Sequence, residues 1–179
     1  MEEVRQFVGN GIHKLIERAV PAGTSDADIE AVFTTFEIYY KDHCMDTTRP
    51  YDGINDLLTK LRAQGYITAV VSNKVDFAVQ DLVKDFFVGQ FDVAIGEREG
   101  VRKKPAPDSV YEVLKEFDLK KDEVIYIGDS DVDVETARNA GVACCAVSWG
   151  FRSVQCLRDA GAARIAANPQ ELLAMLEAL

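Results

Sequence analysis

The chain has 179 residues, of which 47% are hydrophobic and 28% charged, and its formal net charge is −10 at pH 7. This length and composition are typical of one globular domain, or of one domain with a small appendage. The acidic balance argues against nucleic acid as the main partner, because phosphate backbones are bound by clusters of lysine and arginine. The sequence has no apolar run long enough to span a bilayer and no signal peptide, so we expect a cytoplasmic protein without a membrane partner.

The first quarter of the chain predicts only helices. Residues 2–20 and 26–43 carry apolar residues at helical spacing, and the segment "PAGTSD" between them breaks the pattern. A second break, "DTTRPYDG", is dense in turn residues. We therefore expect a domain boundary near it, between residues 1–48 and residues 49–179.

Beyond this boundary, predicted helices and strands alternate. In chain order they are helix 53–64, strand 66–72, helix 76–87, strand 91–96, helix 107–118, strand 123–128, helix 134–140, strand 142–148, helix 154–161, strand 164–167 and helix 169–179. This alternation predicts an α/β fold, a Rossmann-like and mostly parallel sheet flanked by helices on both faces. In such sheets the reactive residues lie at the carboxyl ends of the strands.

The first strand end with unusual polar residues is "VVSNK", which presents Ser72 and Asn73. A hydroxyl and an amide at the entry to a helix, together with free backbone N–H groups, can bind phosphate oxygens. The alternative is that Ser72 or Asn73 only caps the following helix.

The second such segment is "VRKKPAPDSV", in which Lys104 directly precedes Pro105. A residue before proline is biased away from the helical conformation, so Lys104 is expected on a stiff loop that can aim its charge. The alternative is an ordinary solvated basic loop.

The third segment, "VIYIGDSDVDVETA", has three aspartates at alternate positions directly after a predicted strand. Asp129 follows the strand end, Asp133 lies one helical turn further, and Asp131 falls between them and should point elsewhere. Oxygen ligands at this spacing suit Mg²⁺. A calcium loop of the EF-hand type is excluded, because Val134 stands where glycine is needed and Ala140 where glutamate is needed. The helix dipole alone would favour one acidic residue there, but not three.

Together these segments resemble the haloacid dehalogenase superfamily, and within it the phosphoglycolate phosphatase-like branch. "VVSNK", "KKPAPD" and "IGDSDVDVETARNAG" look like its second, third and fourth motifs. "FVGNGIHKLIERAV" looks like a helix of its α-helical cap, and "SWGF" like the loop after the following strand. The resemblance implies a partial helical cap in residues 1–48 and a core of the haloacid dehalogenase type in residues 49–179.

Specific roles follow from the resemblance. Ser72, with Asn73 beside it, would bind the transferring phosphoryl group, and Lys104 would neutralise it. Asp129 would hold Mg²⁺, and Asp133 would support that site. The implied activity is Mg²⁺-dependent hydrolysis of a small phosphorylated metabolite by a monomer or homodimer. The leading candidate substrate is 2-phosphoglycolate, sugar phosphates and nucleotides remain open, and a haloacid dehalogenase is the alternative enzyme.

One part of the family pattern is absent. In the family, an aspartate of a D-x-D-x-T motif attacks phosphorus, and the aspartate two residues on acts as acid and then base. Asp26 and Asp28 in "SDADIE" have that spacing, but they follow a loop and open a predicted helix. The strand that carries the motif would lie between the strands ending at Ser72 and Asp129. Its absence is expected to leave those strands with unpaired backbone groups and an apolar gap, and the chain without catalytic competence.

Three explanations account for this pattern. The chain is a truncated phosphatase, or a catalytically inactive protein that binds phosphorylated ligands and Mg²⁺, or a subunit whose gap is filled by strand exchange in a dimer. The retention of Ser72, Lys104, Asp129 and Asp133 together favours truncation.

Overall fold

The computed structural model of the chain describes residue 7 and residues 11–178, with helices and strands in the predicted order. The helices are α1 (Ile12–Ala19), α2 (Asp26–His43), α3 (Ile54–Ala63), α4 (Asp76–Phe86), α5 (Asp108–Glu116), α6 (Asp131–Ala140), α7 (Val154–Asp159) and α8 (Pro169–Glu177). The strands are β1 (Ala69–Val75), β2 (Val93–Glu97), β3 (Ile125–Gly128), β4 (Ala143–Val147) and β5 (Ile165–Ala166). Residues 2–6 and 8–10 of the first predicted helix lie outside the described residues.

All strand pairs are parallel, as predicted. β1 pairs with β2, and β4 lies between β3 and β5. Each crossover between parallel neighbours contains a helix, which is the usual connection because two parallel strands cannot be joined by a tight turn. The predicted α/β class with a helix-flanked parallel sheet is therefore confirmed.

Helices cover both faces of the strands that follow β2. On one face, α3 and α8 pack against β4 and β5 in a cluster formed by Leu57, Leu61, Cys145, Val147, Ala166, Leu172 and Leu176. On the other face, α5 and α6 pack against β3 in a cluster formed by Val110, Leu114, Tyr126, Ala137 and Ala140. These apolar layers fix the positions of the loops at the carboxyl ends of β3 and β4.

The sheet is interrupted between β1 and β3. Among the described residues, β1 is hydrogen-bonded only to β2, and β3 only to β4. The two strands still belong to one layer, because Val71 of β1 packs against the same cluster that contains Tyr126 of β3. Central strands of parallel sheets are normally buried on both faces. Here no residue of β1 is fully buried, and Ile127 in β3 is 41% exposed. We call these sides of β1 and β3, which are unpaired among the described residues, the inner edges.

Two predicted boundaries shift in ways that affect the site. β1 runs on to Val75, with an irregularity in its pairing after Val71, so Ser72 lies inside the strand rather than at its end. α6 begins at Asp131 rather than at residue 134, because the Ser130 side chain accepts a hydrogen bond from Asp133 N and caps the helix.

The two helices before the α/β unit pack against each other. His13 of α1 contacts Glu30 of α2 (Nε2–Oε1 2.6 Å) and also packs against the Phe33 ring. α2 contacts the α/β unit through Tyr40, which meets Lys74 near the end of β1. Within the described part of the chain, no helix is both long and apolar enough to cross a bilayer.

Candidate active site

The centre of the candidate site is the carboxylate of Asp133, which is 5% exposed. Its Oδ1 accepts hydrogen bonds from Lys104 Nζ (2.7 Å) and the Tyr126 hydroxyl (3.2 Å). Its Oδ2 accepts from the backbone N–H groups of Asp129 (3.2 Å) and Ser130 (3.1 Å), and from the Ser130 hydroxyl (2.6 Å). Both oxygens are thus occupied by donors, which is what a buried charge requires. The carboxylate folds back so closely over the end of β3 that a side chain at Gly128 would overlap it.

Burial by itself would raise the pKa of Asp133. The charge and hydrogen bond of Lys104, and the hydrogen bonds from Ser130 and Tyr126, outweigh it and lower the pKa below its ordinary value of 3.8. Asp133 is therefore ionised at neutral pH, and burial together with the nearby carboxylates raises the pKa of the Tyr126 phenol. Tyr126 thus stays a neutral hydrogen-bond donor.

The lowered pKa of Asp133 predicts a specific loss of stability in acid. Its contribution to the free energy of unfolding is complete above the ordinary pKa of 3.8 and is lost as the pH falls from there through the lower pKa of the folded state. Urea unfolding measured between about pH 5 and pH 2 should show this loss in the wild type, with a shallower dependence in Asp133→Asn. Identical pH dependence in the two proteins would contradict the assignment.

The loop between β2 and α5 is held against β1 by a reciprocal pair of hydrogen bonds. The Asn73 side chain donates to the Lys104 carbonyl (2.9 Å) and accepts from the Lys104 backbone N–H (2.8 Å). The Lys104 side chain then extends to Asp133, with its Nζ 5.9 Å from the centre of the Tyr126 ring. Asn73 therefore positions Lys104, and direct phosphate binding by Asn73 stays a prediction.

Ser72 lies beside this pair in β1. Its Oγ accepts a hydrogen bond from the Lys74 backbone N–H (3.1 Å). A hydroxyl that accepts from the backbone keeps its own proton for donation. Ser72 can thus donate to an oxygen anion, which is the property that phosphate binding needs.

Asp129 is held by the loop after β4. Its Oδ2 accepts a hydrogen bond from the Phe151 backbone N–H (2.8 Å). The preceding residue, Gly150, approaches so closely that a Cβ there would overlap the Asp129 carboxylate. The other oxygen, Oδ1, makes no hydrogen bond within the described residues and is available to a ligand.

Asp131 points away from this cluster, as predicted, and pairs with Arg152 (Oδ1–Nε 2.8 Å). Among residues 11–178, no three His, Cys, Asp or Glu side chains converge in an arrangement that could hold a metal ion. The described part of the chain therefore offers Asp129 as a single ligand with a free oxygen, and further metal ligands would have to be substrate, water or another segment.

Comparison with known proteins identifies the fold to which this arrangement belongs. A profile of the family described as haloacid dehalogenase-like hydrolase matches residues 1–147, most of the chain. The chain belongs to this family. The resemblance found in the motifs is thereby confirmed at the level of the superfamily.

Individual haloacid dehalogenase-like proteins cover almost the whole chain. Phosphoglycolate phosphatase 1 of Pseudomonas aeruginosa is 29% identical over 180 residues, covering 97% of this chain and 65% of the relative. N-acetylmuramic acid 6-phosphate phosphatase of the same species is 29% identical over 178 residues, covering 98% and 79%. A crystal structure of a phosphoglycolate phosphatase candidate from Lactobacillus delbrueckii subsp. bulgaricus superposes with a TM-score of 0.93 at 37% identity, covering 98% and 82%. The chain spans 57–65% of the length of the first curated relatives that it matches.

The contacts that Ser130, Tyr126 and Phe151 make in this haloacid dehalogenase-like site were not found from the sequence. The spacing of Ser130 and Asp133 is that of a capping pair, and this could have revealed the contact. The sequence around Tyr126 predicts only a strand, and nothing in it predicts the hydrogen bond from the Tyr126 hydroxyl to Asp133. The hydrogen bond from Phe151 to Asp129 is donated by a backbone N–H, which every residue except proline has, so the residue type at position 151 does not predict it.

Proposed function

We propose that the chain carries the phosphate- and metal-binding half of a Mg²⁺-dependent phosphatase for small phosphate monoesters, with 2-phosphoglycolate as the leading candidate substrate. The observation that carries the proposal is the continuous chain of contacts from Asn73 through Lys104 and Asp133 to Asp129. It joins β1, the loop after β2 and the segment after β3, and it links Lys104 through Asp133 to Asp129, the carboxylate that has a free oxygen.

The site favours an oxyanion in spite of the protein's net charge of −10. Ser72 has a proton to donate, and the loop of Lys104 is fixed by Asn73. Within residues 11–178, Lys104 Nζ makes one hydrogen bond, to Asp133, and retains two N–H groups for a phosphate oxygen. A fixed lysine offsets the negative charge that accumulates on the phosphoryl oxygens during transfer.

Asp129 and Asp133 fit a magnesium site in different ways. The free oxygen of Asp129 is a hard ligand of the kind that Mg²⁺ prefers, and Mg²⁺ commonly uses one or two carboxylates together with water and substrate phosphate. The oxygens of Asp133 are taken by protein donors, so its role is to orient Asp129 through the Asp129 backbone N–H. When bound, Mg²⁺ would supply positive charge to the phosphoryl oxygens.

The nucleophile of this phosphatase is proposed to come from a strand that pairs with the inner edges of β1 and β3. Among the described residues the two edges have unpaired backbone groups, and Ile127 of β3 offers exposed apolar surface. An aspartate at the carboxyl end of such a strand would emerge between Ser72 and Asp129. There it could attack phosphorus and break the ester P–O bond, releasing the alcohol and forming an aspartyl-phosphate, which water then hydrolyses to inorganic phosphate and the free aspartate. The strand could belong to a longer form of the chain or to a second copy.

The relatives' names guide the choice of substrate. One relative is named for phosphoglycolate and another for N-acetylmuramic acid 6-phosphate. Both compounds are phosphate monoesters of an organic acid, so each carries a carboxylate besides its phosphate. We extend this class to the present protein, with residues 1–48 acting as part of the cap over the site.

The test compares binding and turnover. Calorimetric titration of the 179-residue chain with inorganic phosphate and Mg²⁺ should show binding, and incubation with 2-phosphoglycolate should release no phosphate. A form extended by a strand that ends in D-x-D-x-T should release phosphate from 2-phosphoglycolate. No phosphate binding by the chain would contradict the proposal, and binding without turnover in the extended form would leave only a ligand-binding role.

A further inference from the structure

Lys74 lies at the contact between the helical segment and the α/β unit. Its Nζ donates a hydrogen bond to the Tyr40 hydroxyl of α2 and lies 4.7 Å from the centre of the Tyr40 ring. The Tyr40 ring is itself stacked on Phe36, with 5.3 Å between ring centres. Lys74 follows Ser72 by two residues, and its backbone N–H donates to the Ser72 hydroxyl. Lys74 thus contacts the proposed phosphate site through its backbone and the helical segment through its ammonium group.

Lys74 differs from the other half-buried cations in having no acidic partner. Among the described lysines and arginines that are not exposed, Arg62 pairs with Asp92, Lys104 with Asp133 and Arg152 with Asp131. Lys74 alone has only a neutral partner, the Tyr40 hydroxyl, in the described part of the chain. A partly desolvated charge without a counter-charge is unfavourable unless a ligand supplies one.

Lys74 and Tyr40 have hydrogen-bond donors that their mutual contact does not use. One N–H of the ammonium group is used on the Tyr40 oxygen, which leaves two N–H groups. The Tyr40 hydroxyl accepts from Lys74 and so keeps its own proton. These three donors match a carboxylate, which has two oxygens that accept hydrogen bonds and no protons.

We propose that Lys74 and the Tyr40 hydroxyl form a subsite for the carboxylate of the substrate, so that the site selects phosphate monoesters that carry a second anionic group. This inference rests on the proposed phosphatase function and adds the residues that would set its selectivity. The subsite is assembled from both parts of the molecule, because Tyr40 comes from α2 and Lys74 from β1. A carboxylate ligand would therefore tie the helical segment to the α/β unit.

The test uses two probes that differ only in the second anionic group. Calorimetric titration with Mg²⁺ present compares 2-phosphoglycolate with ethyl phosphate, which has the same phosphate and no carboxylate. Lys74→Gln should weaken binding of 2-phosphoglycolate by about 10- to 100-fold and leave the affinity for ethyl phosphate unchanged. Tyr40→Phe should act in the same direction with a smaller effect, and Lys74→Arg should restore part of the loss. Lys103→Gln is the matched control, because Lys103 pairs with Glu97 (2.9 Å) and should affect neither probe.

The ethyl phosphate titration distinguishes a failure of the proposed subsite from a failure of the proposed phosphatase function. An equal loss of affinity for both probes in Lys74→Gln would show that Lys74 only supports the fold, and would overturn the subsite. Unchanged affinity for both probes would overturn it as well. Failure of the wild type to bind either probe would overturn the proposed function together with the subsite that rests on it.

Discussion

Replacing Lys104 with alanine should destabilise the protein by about 3–5 kcal/mol, since the change leaves a buried carboxylate without its counter-charge. The side chains of Lys104 and Asp133 are only 14% and 8% exposed, so water cannot replace the lost ion pair. The same change removes the cation of the proposed phosphate site. The free energy of unfolding from urea titration and the affinity for inorganic phosphate should therefore both fall.

Two further variants test whether the loss of stability comes from breaking the ion pair between Lys104 and Asp133. Lys103→Ala changes the neighbouring residue, whose side chain is 42% exposed, and should alter stability little because exposed ion pairs contribute little. The double variant Lys104→Met with Asp133→Asn removes both charges and should be less destabilised than the sum of the single changes. Additive effects, or a Lys104→Ala protein as stable as Lys103→Ala, would contradict the pairing seen in the structure.

Asp129→Asn should reduce the affinity for Mg²⁺ by about 100-fold or more, which exceeds the effect usual for residues that only support a metal ligand. The amide oxygen of asparagine can still accept the hydrogen bond from Phe151 N, so the fold should persist. Calorimetric titration with Mg²⁺ measures the loss, and thermal unfolding without Mg²⁺ checks that the protein is intact.

The matched control for this variant is Asp131→Asn. Asp131 undergoes the same chemical change two residues away, but its carboxylate faces Arg152 instead of the cluster. Its Mg²⁺ affinity should stay close to that of the wild type. If Asp129→Asn keeps its Mg²⁺ affinity, or if both variants lose it equally, Asp129 is not the ligand.

The order of elements could be read from the sequence because each strand is a short apolar run and each helix carries a regular apolar face. The alternation of the two also predicted parallel pairing. Less could be said about strand ends, since "VVSNKVDF" contains no glycine or proline to mark where β1 stops. The strand therefore continues through Ser72 to Val75, past the point where its apolar pattern ends.

The candidate site was predictable at the level of side-chain chemistry and not at the level of contacts. Lys104 and Asp133 stand out by residue type and by their neighbours in sequence, but they are 29 positions apart and nothing local shows that they pair. Asn73 looked like a phosphate ligand because of its position after Ser72, whereas the structure uses its amide to hold the Lys104 backbone. Long-range pairs of this kind depend on the packing of α5 against β1 and β3, which sequence periodicity does not describe.

The interruption of the sheet has a consequence for how ligands act on the protein as a whole. No backbone hydrogen bond among the described residues joins β1 to β3, so the two sheets are connected by apolar packing and by the polar contacts of Lys104. An anion bound by Ser72 from one sheet, and by a cation coordinated to Asp129 from the other, would cross-link them. A ligand of this kind raises the stability of the folded state in proportion to the logarithm of its concentration, once that concentration exceeds the dissociation constant. Bound substrate would then join the two sheets and add to the stability of the folded state.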